Sequence, residues 1–396
     1  MHPHADASAA RKLELADVMR LHGQAFAEQQ RLSGAQRKAL RAIARCRTAE
    51  LGGQLIECQA CGAAQYRYHS CRNRHCPKCG TLAKERWLAA RRAELLPVPY
   101  FHLVFTLPHE LSALVQGNPR ALYGLLFAAA SKTLLEFGRN ARWLGGEIAA
   151  TLLLHTWSQQ LTHHPHVHAL VAGGALSGDG RWVAPRRGFL FPVQALAKVF
   201  RGKFLDALAQ LLRKGRLKLA GSTAGLGQAA AQQQLLRTLR AQDWVVYAKG
   251  LITGPQRALD YLARYTHKSA ISNERLRTMD ASSISFAWRD RAHGNRPRLM
   301  HLPIEAFLAR FALHVLPSGF TRIRHYGLLA NRHKTARMAQ AAAALAVAPF
   351  VATPPETVRE FCLRVWRFDP ALCVECRSAR LRVTQLAPAH RPRAPP

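Results

Sequence analysis

The spacing of apolar residues divides the chain into helical and strand-forming stretches. Helical spacing predicts helices over residues 12–45 with a break at Ser33-Gly34, over 82–96, 121–137 and 193–217, and from Pro255 onward. Shorter apolar runs predict strands within residues 99–108, 148–157, 167–174, 243–250 and 283–290. The pattern favours an α+β fold, in which helices pack on an antiparallel sheet.

The charge of the chain predicts the kind of partner that the protein binds. The 396 residues include 57 Lys and Arg against 23 Asp and Glu, a formal net charge of +34. A surface this basic binds a polyanion, and the counterions released on binding supply much of the affinity. The alternative is a solubilising surface, but such surfaces mix both signs. We therefore expect a protein that binds nucleic acid.

The residues near the start of the sequence and the length of its apolar runs predict the compartment of the protein. Polar and charged residues stand near the start, where a secretory signal would be apolar, and no run approaches the ~20 apolar residues of a membrane span. We therefore expect a cytoplasmic protein. In that compartment nine cysteines are better explained as metal ligands or free thiols than as disulfides.

Two Cys-x-x-Cys pairs in the first quarter of the chain predict a structural zinc site. Cys58 and Cys61 precede Cys76 and Cys79 by a spacing that brings four thiolates around one tetrahedral ion. Additional candidate ligands or neighbours lie close by in sequence: Cys71, His75, Cys46 and His69. A redox dithiol is the alternative, although it would show one such pair beside a βαβ pattern.

A third pair, Cys373 and Cys376, lies near the end of the chain. We interpret it as half of a zinc ribbon that binds no metal well by itself.

The stretch HPHVHALV, from His164 to Val171, places histidines just where a strand is predicted. In a strand His166 and His168 point to the same side while Val167 points to the other, so both imidazoles can bind one divalent cation. Imidazole suits Mn, Zn, Co or Ni, and Mg fits less well unless oxygen ligands and phosphates complete its shell. The alternative is that these histidines are hydrogen-bonded core residues that bind no metal.

The predicted helix after Pro255 carries two tyrosines one turn apart. Tyr261 and Tyr265 share a helix face at i and i+4. Packing against the sheet is the ordinary role of such a pair. Each phenol is also a candidate nucleophile if a metal polarises a phosphate beside it, and Lys268 could neutralise charge in the transition state.

Five segments together resemble the transposases of the insertion-sequence 91 family, which combine a zinc-binding region with a two-tyrosine HUH endonuclease. The segments follow in order: SCRNRHCPKCG (70–80), VFTLP (104–108), HTWSQQLTHHPHVH (155–168), YLARYTHKSAISNERL (261–276) and GFTRIRHYGLLAN (319–331). By this resemblance His166-Val167-His168 is the His-hydrophobic-His motif, and Tyr261 and Tyr265 are the tyrosine pair. Phe105-Thr106-Leu107 resembles the strand motif beside the metal strand.

The resemblance implies a ferredoxin-like or RRM-like sheet and a layout along the chain. The layout is a helical region over 1–45, a zinc-binding domain over 46–95, a catalytic domain over 99–335 and a flexible basic tail over 346–396. It also implies a third protein ligand for the catalytic cation. Gln159 is our choice, while Gln160 and His155 stay open.

The activity that the resemblance implies is rolling-circle transposition in the bacterial cytoplasm, in association with the nucleoid. A tyrosine attacks single-stranded DNA at the element end and forms a 5′-phosphotyrosine bond, with Mg²⁺ or Mn²⁺ at the catalytic site and zinc in a structural role. Three alternatives remain: a zinc-dependent DNA-binding regulator without activity, a relaxase or replication initiator of the HUH class, and a carboxylate-metal transposase or nuclease. The last is disfavoured because residues 155–171 contain no Asp or Glu.

Overall fold

The computed structural model describes residues 12–92, 94–263, 268–290, 293–348 and 356–389. Within them the helices are α1 (Leu15–Gln29), α2 (Gly34–Ala44), α3 (Gly80–Arg92), α4 (Ser112–Gly117), α5 (Pro119–Arg139), α6 (Val193–Arg213), α7 (Ala229–Ala241), α8 (Pro255–Ala263), α9 (Ile304–Ala312), α10 (Lys334–Ala344) and α11 (Val358–Trp366). None of these described helices is long and apolar enough to cross a membrane.

The strands of the same residues are β1 (Gly53–Cys58), β2 (Ala64–Tyr68), β3 (Tyr100–Thr106), β4 (Gly146–Trp157), β5 (His163–Ser177), β6 (Trp182–Val183), β7 (Val246–Ile252), β8 (Leu276–Met279), β9 (Ser283–Asp290), β10 (Arg296–Pro303), β11 (Ile323–Gly327) and β12 (Leu381–Leu386). Helices and strands are mixed and every ladder is antiparallel, which confirms the predicted α+β class.

The chain divides into two compact units. The first comprises residues 1–86, 267–315 and 354–396, and the second comprises residues 87–266 and 316–353. Helix α3 begins in the first unit and ends in the second. The sequence predicted one continuous catalytic domain over 99–335, whereas residues 267–315 belong to the unit that contains the cysteines.

The second unit is built on a sheet with the order β11-β4-β5-β3-β7, and β6 pairs with β5. Four of these strands follow the chain order β3, helices, β4, β5, helices, β7, which is the βαββαβ sequence of a ferredoxin-like fold. Their order in space, β7-β3-β5-β4, places β3 and β5 at the centre. The predicted ferredoxin-like sheet is therefore present, with β11 added at one edge.

One face of this sheet is covered by α5 and α6. Alternate residues of the central strands point into their core, among them Phe101, Leu103 and Phe105 of β3 and Val167 and Ala169 of β5. All of these side chains are buried, and Phe105 packs edge-on against the ring of Phe200 at 5.1 Å between centroids. Because side chains alternate along a strand, the residues between them face the opposite side of the sheet.

The first unit contains two three-stranded sheets, β12-β1-β2 and β10-β9-β8, with helices α1, α2, α9 and α11. Helix α2 follows the predicted break at Ser33-Gly34, and Ser33 caps it, since its hydroxyl accepts a hydrogen bond from the Gln36 backbone N–H. The Asn273 side chain accepts a hydrogen bond from the Leu15 backbone N–H at 3.1 Å. This contact joins the beginning of the chain to a segment more than two hundred residues later.

The end of the chain corrects a sequence-based prediction. Residues 346–396 were expected to form a flexible tail because they are rich in Pro and Arg, yet residues 356–389 contain α11 and β12. Strand β12 pairs with β1 in register from Gly53 opposite Leu386 to Cys58 opposite Leu381. Composition misled here because the strand is stabilised by a partner from the other end of the sequence.

Candidate metal centres and nucleophile

Strand β5 places two histidines on the face of the sheet opposite α5 and α6. Val167 points into the core, so His166 and His168 point the other way, as the sequence predicted. The neighbouring strand β3 runs antiparallel to β5, with Phe105 opposite Val167. The motif Phe105-Thr106-Leu107 therefore begins beside the histidine strand.

His155 of β4 completes a cluster of three imidazoles. It is the direct partner of His166 in the β4–β5 ladder. One ring nitrogen from each of His155, His166 and His168 lies within 4.8 Å of the other two. The ring centroid of His155 is 4.6 Å from that of His168 and 5.5 Å from that of His166. Three neutral imidazoles that converge in this way fit a divalent transition metal.

The hydrogen bond of His166 determines which of its nitrogens can bind a metal. Its Nδ1 lies 2.7 Å from the backbone oxygen of His164. A carbonyl oxygen can only accept, so Nδ1 donates and the lone pair of a neutral ring is on Nε2. Backbone contacts of this kind fix the tautomer of metal-binding histidines.

Tyr261 is connected to the cluster through a histidine that the sequence analysis did not single out. The Tyr261 hydroxyl lies 2.7 Å from His102 Nδ1, and His102 Nε2 lies 2.8 Å from His168 Nδ1. Tyr261 is only 8% exposed, and its ring centroid is 4.8 Å from that of His102. The chain of contacts thus runs Tyr261, His102, His168 on the same face of the sheet.

The other candidates for this site have different positions. Gln159, our choice as third ligand, lies with Gln160 in the turn after β4, whereas His155 lies within the strand. The histidine cluster therefore favours His155 as the third ligand. Tyr265 lies outside the described residues. Lys268 is exposed and belongs to the unit that contains the cysteines.

The cysteines form two four-thiol clusters within the first unit. Cys76 and Cys79 cluster with Cys46 and Cys71, and all four sulfurs lie within 4.8 Å of one another. The sulfur of Cys79 is 3.4 Å from that of Cys46 and 3.6 Å from that of Cys71. A tetrahedral zinc with Zn–S bonds of roughly 2.3 Å separates its sulfurs by about 3.8 Å, so this set fits the ion.

Cys58 and Cys61 belong to the second cluster, with Cys373 and Cys376. The prediction of one zinc site formed by Cys58, Cys61, Cys76 and Cys79 is therefore wrong in its grouping. The two pairs are separated because Cys58 ends β1 beside β12, whereas Cys46 and Cys71 complete the set around Cys76 and Cys79. His75 is buried but is not a member of either cluster.

Hydrogen bonds to sulfur favour the thiolate of Cys58 in one cluster and of Cys79 in the other, whereas contacts with neighbouring thiols raise the pKa values of Cys61, Cys71 and Cys76. The backbone N–H groups of Cys61 and Ala60 lower the pKa of the Cys58 thiol to about 6. Hydrogen bonds with Cys46 and Cys71 lower the pKa of the Cys79 thiol well below its ordinary range. Because metals bind the thiolate, the lowered values prepare Cys58 and Cys79 for zinc, and the other thiols would lose their protons as the metal binds.

Two kinds of residue were missed or undervalued from the sequence. His102 lies between Phe101 and Leu103 on a predicted strand. Because both neighbours point into the core, strand alternation places His102 on the opposite face, where the other histidines lie. Cys373 and Cys376 gave no such signal, because the spacing of a pair does not identify a partner three hundred residues away. The sequence presents Cys46 and Cys71 only as additional candidates, and the structure places both beside Cys76 and Cys79.

Comparison with known families identifies the class of protein. Residues 18–107 match the family described as "Transposase zinc-binding domain", and residues 149–337 match the family described as "Putative transposase". The first range includes all of Cys46, Cys71, Cys76 and Cys79, and the second includes the three clustered histidines and Tyr261. The chain is a transposase, an enzyme that cleaves and transfers DNA strands.

Two relatives specify the family. The chain is 44% identical over 346 residues to "Putative transposase y4qJ" of Sinorhizobium fredii (strain NBRC 101917 / NGR234), with 87% of this chain and 86% of the relative covered. It is 28% identical over 336 residues to the transposase for insertion sequence element IS801 of Pseudomonas savastanoi pv. phaseolicola, with 84% and 79% covered. The chain belongs to the insertion-sequence 91 family of transposases.

Solved structures give a more distant likeness. The conjugative relaxase TrwC in its metal-bound complex with oriT DNA is 14% identical, at a TM-score of 0.26 over 65% of this chain and 96% of that one. The metal-free complex of the same relaxase is 16% identical, at a TM-score of 0.24 over 42% and 71%. These scores are too low to transfer any residue, so the fold assignment rests on strand order.

Proposed function

We propose that this transposase acts by the rolling-circle route, with Tyr261 as a nucleophile toward single-stranded DNA at the element end. The observation that supports this proposal is the contact of the Tyr261 hydroxyl, through His102, with His168 of the three-histidine cluster. Any buried hydroxyl needs a hydrogen-bond partner, and the partner of this one belongs to a chain of contacts that ends at a candidate metal ligand. The high positive charge supplies affinity for the DNA backbone.

His155, His166 and His168 would hold the catalytic cation. His166 fits through Nε2, since its Nδ1 donates to the His164 backbone. A bound Mg²⁺ or Mn²⁺ would polarise the scissile phosphate and offset the charge of the transition state. An all-imidazole set suits Mn²⁺ better than Mg²⁺, unless phosphate oxygens complete the shell of the latter.

The cleavage step transfers a phosphate from one oxygen to another. The Tyr261 oxygen attacks phosphorus, a new P–O bond forms to the phenol, and the bond from phosphorus to the 3′ oxygen breaks. The phenol proton passes to solvent, and the departing 3′ oxygen takes a proton from solvent to become a hydroxyl. The 5′-phosphotyrosine keeps the energy of the broken bond, so rejoining needs no ATP.

His102 would position and polarise the nucleophile. If His168 coordinates through Nε2, its Nδ1 carries hydrogen and donates to His102 Nε2. Neutral His102 then carries its hydrogen on Nδ1 and donates it to the Tyr261 oxygen. This donation would stabilise negative charge on the phenol oxygen as its own proton leaves.

Tyr265 would provide the second nucleophile. Moving a strand from donor to target needs two sequential transesterifications, and two tyrosines let one hold the first 5′ end while the other attacks. Lys268 would neutralise charge on the phosphate in the transition state. Both roles rest on the sequence and on the family resemblance.

The test is a cleavage assay on labelled single-stranded DNA from the element end, with Mg²⁺ or Mn²⁺. Denaturing gels reveal a covalent protein–DNA adduct. The Tyr261→Phe and Tyr265→Phe double variant should form none, because Phe keeps the ring and loses only the hydroxyl. Tyr247→Phe is the matched control, since Tyr247 is 54% exposed on β7.

The single variants separate the two tyrosines. Either one alone should block complete transposition if both nucleophiles are needed. An adduct of normal yield from the double variant would remove both tyrosines from the mechanism. Normal transposition by Tyr261→Phe, with the adduct lost only in Tyr265→Phe, would reduce Tyr261 to a packing residue.

A further inference from the structure

We propose that Cys58, Cys61, Cys373 and Cys376 bind a second structural zinc ion, which joins the two ends of the chain into one zinc ribbon. The cluster is separate from the four cysteines within residues 46–79. Two of its ligands also lie beyond residues 18–107, the range that matches the zinc-binding family. The ribbon would thus extend the zinc-binding domain to a segment near the end of the chain.

The sulfur positions fit a tetrahedron. The sulfur of Cys58 is 3.6 Å from that of Cys376, the sulfur of Cys61 is 3.7 Å from that of Cys373, and all four lie within 4.8 Å of one another. Zinc bonded to four thiolates at roughly 2.3 Å requires sulfurs about 3.8 Å apart. A disulfide would require about 2.05 Å. The distances match ligands of a common ion better than bonded sulfurs.

The two Cys-x-x-Cys loops have the same backbone turn. In the first loop Gly62 N–H donates to the Cys58 carbonyl at 2.9 Å, and Cys58 N–H donates to the Ala63 carbonyl at 2.8 Å. The second loop repeats both bonds at the same spacing, from Arg377 N–H to Cys373 at 3.1 Å and from Cys373 N–H to Ser378 at 2.9 Å. Two unrelated segments therefore form one kind of knuckle.

The residue after each knuckle supports this interpretation. Gly62 has φ +75°, which glycine adopts without cost, and Arg377 has φ +62° in the same left-handed region. A non-glycine residue is strained in this region and needs a surrounding constraint. A metal bound by the adjacent Cys376 would provide that constraint.

The β-ladder leads directly into the site. Strand β12 pairs with β1 up to Cys58 opposite Leu381, and the next backbone N–H, of Gln59, donates to the Arg380 carbonyl at 2.9 Å. The Arg67 guanidinium also lies over the Phe368 ring, 4.8 Å from its centroid. Because these contacts hold the second knuckle against the first, the four thiols face one another across the ladder.

Binding is a proton-for-metal exchange without redox chemistry. Each thiol releases its proton to solvent as its sulfur coordinates, so affinity falls as the solution is acidified. Closed four-thiolate sites of this kind are structural rather than catalytic.

The test counts zinc in the full-length protein purified under reducing conditions. We expect two zinc ions per chain, and one in Cys373→Ser, Cys376→Ser or the double variant. Cys71→Ser removes a ligand of the other cluster and should also leave one. Cys362→Ala is the matched control, because Cys362 is a buried cysteine of the same segment outside both clusters, and it should keep two.

Cobalt replacement and alkylation identify the site if a variant folds poorly. Co²⁺ bound to the wild-type protein should give thiolate charge-transfer absorption of two four-sulfur sites, and Cys373 and Cys376 should resist alkylation until a chelator is added. One zinc per chain in the wild type would overturn the proposal, as would iron at this site or a Cys58–Cys376 disulfide. Two zinc ions that persist in the double variant would also overturn it. None of these measurements depends on transposition, so the proposed function could fail without affecting this result.

Discussion

The histidine cluster and the cysteine clusters represent two ways to assemble metal ligands. His155, His166 and His168 lie within fourteen residues of sequence, on two strands whose ladder pairs His155 with His166. The sheet beneath them has a large apolar core, so the ligands are in place through packing alone. The sheet of β12, β1 and β2 leaves large side chains in solvent, since Tyr66 is 60% and Val383 50% exposed.

This difference assigns different roles to the metals. A cation on the histidines would meet a site already formed, which suits chemistry that needs fixed geometry. Zinc on the cysteines would supply the folding free energy that small exposed sheets lack. The predictions below test that contrast, beginning with the largest expected effect.

Changing both His166 and His168 to Ala should abolish DNA nicking and leave the fold intact. The cation contributes several kcal/mol to a phosphoryl transfer, so a loss of at least about a thousandfold in nicking rate is expected. DNA binding should change little because it depends on the basic surface. Nicking rate, melting temperature and affinity for single-stranded DNA are measured together.

His109→Ala is the control for that double variant, since the His109 side chain is 92% exposed and outside the cluster. If the double variant nicked DNA at the wild-type rate, the assignment of the catalytic cation to these histidines would be wrong. A lowered melting temperature would show instead that the sheet depends on its metal, which would break the contrast.

Replacing Cys76 by Ala should unfold the chain around its own zinc and leave the histidine sheet folded. Cys76 is 2% exposed and one of four ligands, so its loss removes the ion that holds Cys46 to residues 71–79. Hydrogen exchange resolved by peptide should show protection falling to near zero over residues 71–79, while β1 keeps its protection because the second cluster still holds it against β12. Exchange over β3, β4 and β5 should match the wild type.

Cys362→Ala again serves as control, because it removes a buried thiol that binds no metal in either cluster. If protection over β4 and β5 fell together with that over residues 71–79, the two regions would fold as one. The contrast between a preformed sheet and a metal-dependent cysteine region would then be wrong.

Replacing His102 by Gln should slow nicking by about tenfold, an amount typical of one removed hydrogen bond to a charged group. The variant removes the imidazole that the Tyr261 hydroxyl contacts, but it keeps the three clustered histidines. The effect should appear in kcat rather than KM, because the hydrogen bond strengthens as charge develops on the phenol. Metal affinity is measured in parallel by calorimetry with Mn²⁺.

His109→Gln provides the matched substitution at an exposed histidine. A His102→Gln variant that nicks at the wild-type rate would mean that the Tyr261 contact only packs the helix. A loss of metal affinity equal to the loss of rate would assign His102 to the support of His168 instead.

Local patterns predicted the elements of this protein better than its distant pairings. Alternation in HPHVHALV placed His166 and His168 on one face, and the predicted limits 283–290 are those of β9. The third imidazole was left open because strand register, which pairs His155 with His166, is a tertiary property. The partner of Cys58 was not predictable because it lies 318 residues later.

The position of β12 affects how the protein is made. Strand β1 lies between β2 and β12, so one of its edges stays unpaired until the ribosome has delivered residues 381–386. At typical rates of ~5–20 residues per second, synthesis of the 312 residues between Cys61 and Cys373 takes about 15–60 s. Through that interval the nascent chain exposes an open strand edge and two unprotected thiols. A transposase cut short by a stop codon never closes them, and so remains a target for chaperones and proteases.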